Sequence, residues 1–197
     1  MNTVAIIIPT LNADQGNITG QKALLTARCD ARLIVVNGPK RGFTKTVNDG
    51  LRQLKDGEDA CILNDNVSGF QHGWLATLQR ALYSNDKFGI VGPSGKSAAI
   101  SRNGRPGDSG LEKCKQLSFW CVLIKRKVIS KIGILDERFI HYASDNEYCI
   151  RAIRNGWDIV WVKDVYLNHV GHGSGLETKW KQRDHHELNR FLKRGAK

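Results

Sequence analysis

No run of apolar residues in this 197-residue sequence approaches the length of a membrane span. The first twelve residues, "MNTVAIIIPTLN", lack a basic leading region and a small-residue cleavage site. Their apolar stretch therefore reads as a buried strand and not as a signal peptide. The five cysteines, at 29, 61, 114, 121 and 149, include no C-x-x-C pair. That argues against a structural zinc site and for reduced thiols in a cytosolic setting. There is no P-loop, no G-x-G-x-x-G fingerprint and no G-x-S-x-G elbow, which counts against ATPase, dehydrogenase and hydrolase chemistry. Internal repeats and a clean domain boundary are also lacking, and the length suits one domain better than two.

Acidic charge is scarce relative to basic charge, giving a net charge of +11. Residues 94–131 hold nine Lys/Arg against two acids, and residues 175–197 hold seven against three. These two segments account for the whole surplus, so the rest of the chain is neutral. Such segregation is more than a bland solvated face requires, although a basic tail alone often means little.

Short β-branched runs, "VAIIIP" (4–9), "RLIVVN" (32–37), "DACILND" (59–65) and "FGIVGP" (88–93), read as strands buried on both faces. Between them Phe43, Val47, Leu51 and Leu54, and then Trp74, Leu78 and Leu82, recur at helical spacing. Alternating strands and helices imply an α/β domain with a mixed, mostly parallel sheet flanked by helices. Ligands bind such sheets beyond the carboxyl ends of the strands. "PTLN", "NGPKRG" and "NDNVSG" all fall there. Residues 94–117 lack periodicity and read as a long loop. A strand and a short basic helix follow in "SFWCVLIKRKVISKIG", then a helix over 145–155 and a strand at "DIVWV". The expected division is a domain over 1–174 and a basic, helical C-terminal appendage over 175–197.

Several clusters carry possible chemistry. Asp65 and Asn66 follow a hydrophobic strand, where oxygen ligands suit Mg²⁺ or Mn²⁺ bridging a diphosphate. The same pair also suits a turn or a helix cap. His169 and His172 sit in "HVGHGS" after another strand, where plain solvated surface is the competing role. "DERFIHYASDNEYCIRAIRNGWDIVWV" (136–162) sets Asp136, Glu137, Asp145 and Glu147 among aromatic and aliphatic residues.

Taken in order, "IIIPTLN", "VVNGPKRGFTKTVNDGL", "ILNDNVSGFQHGWL", "KVISKIGILDERFIHYASDNEYCIRAIRNGWDIVWV" and "VYLNHVGHGS" resemble the nucleotide-sugar glycosyltransferases of the Rossmann-like GT-A fold. Their nearest likeness is to the large inverting group, family 2-like, that includes bacterial rhamnosyltransferases. The resemblance spans about residues 4–174. It implies a single GT-A domain, a nucleotide-sugar donor and a divalent cation. Pro9, Thr10 and Asn12 match a family segment that contacts the nucleoside. Asn37 stands where an acid usually touches the base or ribose. Gly42, Phe43, Asn48 and Gly50 match a segment near the donor. Asn64, Asp65 and Asn66 replace the metal motif, which normally ends in aspartate, and His169 matches a histidine near metal or diphosphate.

In the same resemblance Asp145 falls on the catalytic base, Ser144 replaces the preceding Glu, and Glu147 replaces a later Asp. A sugar-acceptor hydroxyl is a poor nucleophile, and a carboxylate within hydrogen-bond reach must take its proton. Asp145 also suits a helix N-cap, and one residue can do both. The charge map adds an expectation about the acceptor. Lys96, Arg102, Arg105, Lys113 and Lys115 could track phosphates, with Trp120 or Trp180 stacking on a base. Hydroxylated bases in DNA, an anionic lipid or an acidic cell-envelope glycan all fit. A nucleotidyltransferase and a non-catalytic polyanion-binding protein are the competing readings. The expected location is the cytoplasm, free, at a membrane surface or on DNA.

Overall fold

The computed structural model describes residues 2–38, 41–96, 104–169 and 178–194. The elements run β1 (Val4–Thr10), α1 (Ala13–Thr26), β2 (Ala31–Asn37), α2 (Phe43–Leu51), β3 (Asp59–Leu63), β4 (Val67–Ser68), α3 (Trp74–Tyr83) and β5 (Phe88–Lys96). They continue with β6 (Leu111–Cys114), β7 (Cys121–Ile124), α4 (Arg126–Ile132), α5 (Ser144–Arg154), β8 (Asp158–His169) and α6 (Thr178–Arg194).

Among the described residues one sheet has the order β2-β1-β3-β7-β5-β8-β4, with β6 also paired to β8. β1 is parallel to β2 and β3, and β5 is parallel to β8, while β7, β6 and β4 run antiparallel to their partners. The expected mixed, mostly parallel sheet is therefore what forms. Every residue of β1 is buried because helices cover both faces. On one face Val4, Ile6 and Ile8 pack with Ala23 of α1 and with Trp74, Leu78 and Leu82 of α3. On the other, Ala5 and Ile7 pack with Val47 and Leu51 of α2, Val128 of α4, and Tyr148 and Ala152 of α5.

The chain leaves β1 for β2 on one side and reaches β3 on the other. That reversal opens a crevice at the carboxyl ends of β1 and β3, the usual ligand position in such sheets. Gly16 and Gly20 allow α1 to lie close there: a Cβ on Gly16 would come 2.8 Å from Thr10 Cγ2, and one on Gly20 2.5 Å from Leu33.

Two sequence expectations need correction. The segment 94–117 is not all loop, since β5 runs on to Lys96 and Leu111–Cys114 form the edge strand β6. The charged residues that hid β6 suit an edge, with Lys113 Nζ 2.8 Å from Asp158 and Glu112 3.0 Å from Lys163. The strand begun by "DIVWV" continues to His169, which carries that side chain to the end of the sheet where the crevice lies.

Candidate active site

Thr10 ends β1 beside Asn37, its register partner at the end of β2. Thr10 is buried, and its Oγ1 donates to Asp65 Oδ2 at 2.5 Å across the crevice. Pro9, just before it, is buried in the sheet. Asn12 caps α1, its side chain accepting from the N–H groups of Asp14 and Gln15 at 3.0 and 3.2 Å. The backbone of Asp65 is fixed from α1 as well, its carbonyl accepting from Thr19 Oγ1 at 2.5 Å and Gln15 Nε2 at 3.1 Å.

Asn64 follows β3 directly, its N–H donating to the Trp120 carbonyl at 2.8 Å. Its Nδ2 lies 3.4 Å from His169 Nε2, and its buried Oδ1 has no hydrogen-bond partner among the described residues. The His169 ring stacks on Trp120 at 5.2 Å with 4° between planes. Burial holds His169 below the usual imidazole pKa, against the opposing pull of Asp65, and so favours the neutral, metal-binding form. Asn66 is half-buried beside them.

Among the described residues no three His, Cys, Asp or Glu side chains come together as metal ligands. Asp65 and His169 supply one carboxylate and one imidazole, and Asn64 leaves a buried amide oxygen to satisfy. Such a donor set fits a hard cation that arrives with substrate phosphates, because Mg²⁺-type ions often take only one or two protein ligands.

Gly42 precedes α2 at φ 81°, and a Cβ there would lie 2.4 Å from the Ile140 carbonyl oxygen. That same oxygen accepts the Thr44 N–H at 3.1 Å. Phe43 faces His141 edge-on at 6.2 Å. The start of α2 thus docks on the turn that leads into α5. Asn48, by contrast, is fully buried and faces away from open space. It exchanges hydrogen bonds with the backbone of Leu135 at 2.9 and 3.0 Å and also donates to Glu137. Its role is to join α2 to residues 135–137, and it does not line the crevice.

Asp145 is half-buried in the first turn of α5, where Ala143 is the N-cap residue. Burial raises its pKa above the usual carboxylate range, opposed by the N–H groups of Asn146 and Phe119 and by the charge of His185. A carboxylate poised in this way is suited to accept a proton. Glu147 does not join it. Glu147 is 2% exposed and makes two 2.9 Å bonds to Arg151, whose guanidinium also donates to the carbonyls of Ile132 and Ile134. The catalytic role expected for Glu147 gives way to a structural one, since both its oxygens are occupied. Asp136 and Glu137 shape the preceding turn through Arg138 and Arg52.

The structure also redraws the charge map. β7 runs antiparallel to β3, so Lys125, Arg126, Lys127 and Lys131 fall at the end of the sheet opposite the crevice, where the Arg126 N–H donates to Asp59. Lys125 is itself buried, over the rings of Tyr83 and Trp157. Lys113 pairs with Asp158. Trp120 is buried against His169 and is not available to stack on a base. Arg105 and Lys115 are exposed, as are Lys181 and Arg183 of α6. Arg102, His172 and the side chain of Lys96 lie outside the described residues.

One residue that the sequence did not single out is Asp184. It has no exposed surface, and its carboxylate accepts the N–H groups of Ile140, His141 and Tyr142. No sequence signal marks it, since an acid in a basic, polar helix reads as surface.

No protein-family model matches this sequence, and no curated protein does. Solved structures do match. GalNAc-T7 with UDP, GalNAc and Mn²⁺ is 11% identical at a TM-score of 0.64, over 89% of this chain and 45% of that one. The mannosyltransferase PcManGT from Pyrobaculum calidifontis, in complex with GDP-Man and Mn²⁺, is 16% identical at 0.67, over 98% and 64%. A197 from STIV is 10% identical at 0.57, over 87% and 86%. The chain thus spans less than two thirds of the length of the first two. The fold is the GT-A fold of glycosyltransferases. Among the described residues no helix is long and apolar enough to cross a membrane.

Proposed function

We propose that this protein is an inverting glycosyltransferase that moves a sugar from a nucleotide-sugar donor to a hydroxyl of an anionic acceptor. The observation that carries the reading is Asp145, a half-buried carboxylate with a raised pKa at the start of α5 in a GT-A fold. GalNAc-T7 and PcManGT hold UDP or GDP-Man together with Mn²⁺, which supports the same donor chemistry here.

In this reading Thr10, Asn12 and Asn37 line the nucleoside side of the crevice, and Gly42 and Phe43 border the sugar. Asp65 and His169, with Asn64 and Asn66 beside them, would hold a divalent cation, whose chemistry is to neutralise the departing diphosphate. Asp145 takes the proton of the acceptor hydroxyl as its oxygen bonds to the anomeric carbon and the bond to the diphosphate breaks. A single displacement of this kind inverts the anomeric centre, and one base on the acceptor side is sufficient for it. Lys181 and Arg183, exposed on α6, and Arg105 and Lys115 support an anionic acceptor. DNA with hydroxylated bases is the acceptor we favour, ahead of an acidic envelope glycan or lipid. We assign the donor site and the base to a domain over residues 1–174 and treat 175–197 as a basic helical appendage that contributes to the acceptor side.

A panel of UDP-, GDP- and dTDP-sugars with and without Mn²⁺ tests the donor, because a true ligand raises the melting temperature by mass action. Release of nucleoside diphosphate with a matching sugar supports transfer. Pyrophosphate release from a nucleoside triphosphate and a sugar phosphate would instead show a nucleotidyltransferase, and binding to polyanions with no turnover a non-catalytic protein. Asp65→Ala should weaken both donor binding and dependence on the ion, and full activity in excess EDTA would remove the cation. Duplex DNA binding across a salt series should show a steep log–log decline. No DNA binding at low salt, alongside binding to anionic vesicles or glycans, would move the acceptor to the envelope.

A further inference from the structure

Asp184 is a buried carboxylate for which the proposed reaction has not yet supplied a use. It lies 42 to 44 residues along the chain from the amides it holds, with Oδ1 and Oδ2 at 3.1 and 3.0 Å from the Ile140 nitrogen. Oδ2 also accepts from His141 at 2.8 Å and Tyr142 at 2.9 Å. Bonds from amides to an ionised carboxylate are roughly twice as strong as neutral ones. Three consecutive amides converging on one side chain compensate the burial of its charge.

The turn it holds is strained. Ala143, which closes the turn and stands as the N-cap of α5, has φ 61° and ψ −2°. A non-glycine residue in the left-handed region is strained and persists only where its surroundings impose it. Here those surroundings are Phe139, buried on the inner side, the Thr44 bond to the Ile140 carbonyl, and Asp184 on the amides. Asp145 begins two residues after Ala143, so the direction of its side chain depends on this turn. α6 is seated by other contacts too. Trp180 lies 6.4 Å from the His141 ring, and the Arg154 guanidinium lies 5.0 Å over Phe191.

We infer that Asp184 is a positioning residue for the transfer reaction, holding through the Ile140–Ala143 turn the geometry in which Asp145 meets the acceptor, so that α6 is a working part of the acceptor site. The inference rests on the reading of Asp145 as the base. It also gives the turn a second duty, since the Ile140 carbonyl ties it to the start of α2 on the donor side.

Asp184→Asn is not a mild change in this setting. A single amide oxygen cannot serve three N–H donors in the same way, and the amide NH₂ would face donors. Transfer by Asp184→Asn should fall at least tenfold in kcat, with the donor-induced rise in melting temperature retained. Asp184→Glu keeps the charge but displaces it by roughly 1.5 Å. It should fold and show a smaller loss, which keeps the test open if the Asn variant does not fold. The acid limb of the pH–rate profile should move to lower pH in both variants, because loosening the turn admits water to Asp145. The groups facing Asp145 there are His185 from α6, Cys149 on its own helix, and the amides of Asn146 and Phe119. In a double-mutant cycle, Asp184→Asn added to Asp145→Asn should cost almost nothing more, since a residue acting through the base has no effect once the base is gone.

Folded Asp184→Asn with wild-type kcat, or losses that simply add in the cycle, would overturn the role of Asp184 and leave the enzyme reading standing. No turnover by the unaltered chain with any donor would overturn the enzyme reading, and this inference with it.

Discussion

Thr10 Oγ1 lies 2.5 Å from Asp65 Oδ2, so one hydrogen bond spans the crevice between the ends of β1 and β3. It draws the carboxylate toward the nucleoside side and fixes which oxygen remains for a ligand. Thr10→Val keeps the shape and removes the donor. Nucleotide-sugar affinity should fall by about fivefold, a loss of roughly 1 kcal/mol for one such bond. Isothermal titration with the donor found in the panel would read it. Unchanged affinity would show that Asp65 is oriented by its backbone bonds to Thr19 and Gln15 alone.

Asp145→Asn separates chemistry from stability. Turnover should drop by roughly 10²–10⁴-fold, the range of general base catalysis, with donor binding little changed. The raised pKa of Asp145 adds a sign to the stability. Its folded pKa lies above the unfolded value, so its contribution to stability is present at low pH and is lost as pH rises through the folded pKa. Above that pKa the charged form is a net cost, and the Asn variant should there melt no lower than the wild type. A variant that is both inactive and clearly destabilised would point to a helix-capping role instead.

Glu147 should behave in the opposite way. Glu147→Ala leaves the Arg151 guanidinium without its bidentate partner, in a site where the pair is mostly buried. The expected cost is roughly 3 kcal/mol, the lower end for a broken buried pair because Arg151 keeps some water contact. Urea unfolding measures it. Turnover per folded molecule should remain within a few-fold of wild type, and a loss like that of Asp145→Asn would return Glu147 to the catalytic group.

Asn48→Ala is expected to destabilise for a different reason. It strands the Leu135 N–H and carbonyl in a buried position, at about 1–3 kcal/mol for an unsatisfied group. Donor-induced stabilisation, measured as the shift above the lowered baseline, should persist. Its disappearance would place Asn48 on the donor after all.

The strands were legible in the sequence because burial on both faces leaves continuous β-branched runs, as in residues 4–9 and 59–63. The helices α2 and α3 were legible because each buries one face. α1 was not, since its glycines, which look like breakers, are there so that the helix can approach Thr10 and Leu33. β6 was hidden for the reason that edge strands often are: its charged side chains face water and solvate the edge.

The order of residue types along the chain by itself determined the α/β build, and it brought Thr10, Asp65, Asp145 and His169 forward as a group. Only the tertiary structure decided which polar residues are taken up by distant protein partners. Glu147 and Asn48 carry the same chemistry as site residues, but Arg151 and the Leu135 backbone claim them. The basic run at 125–131 lies at the wrong end of the sheet because β7 is antiparallel, a direction that no local pattern encodes. Asp184 reads as one more surface acid until the fold brings three backbone amides to it. Residue type is local information, whereas the partner that satisfies or frees a polar group is set by which distant segment packs against it.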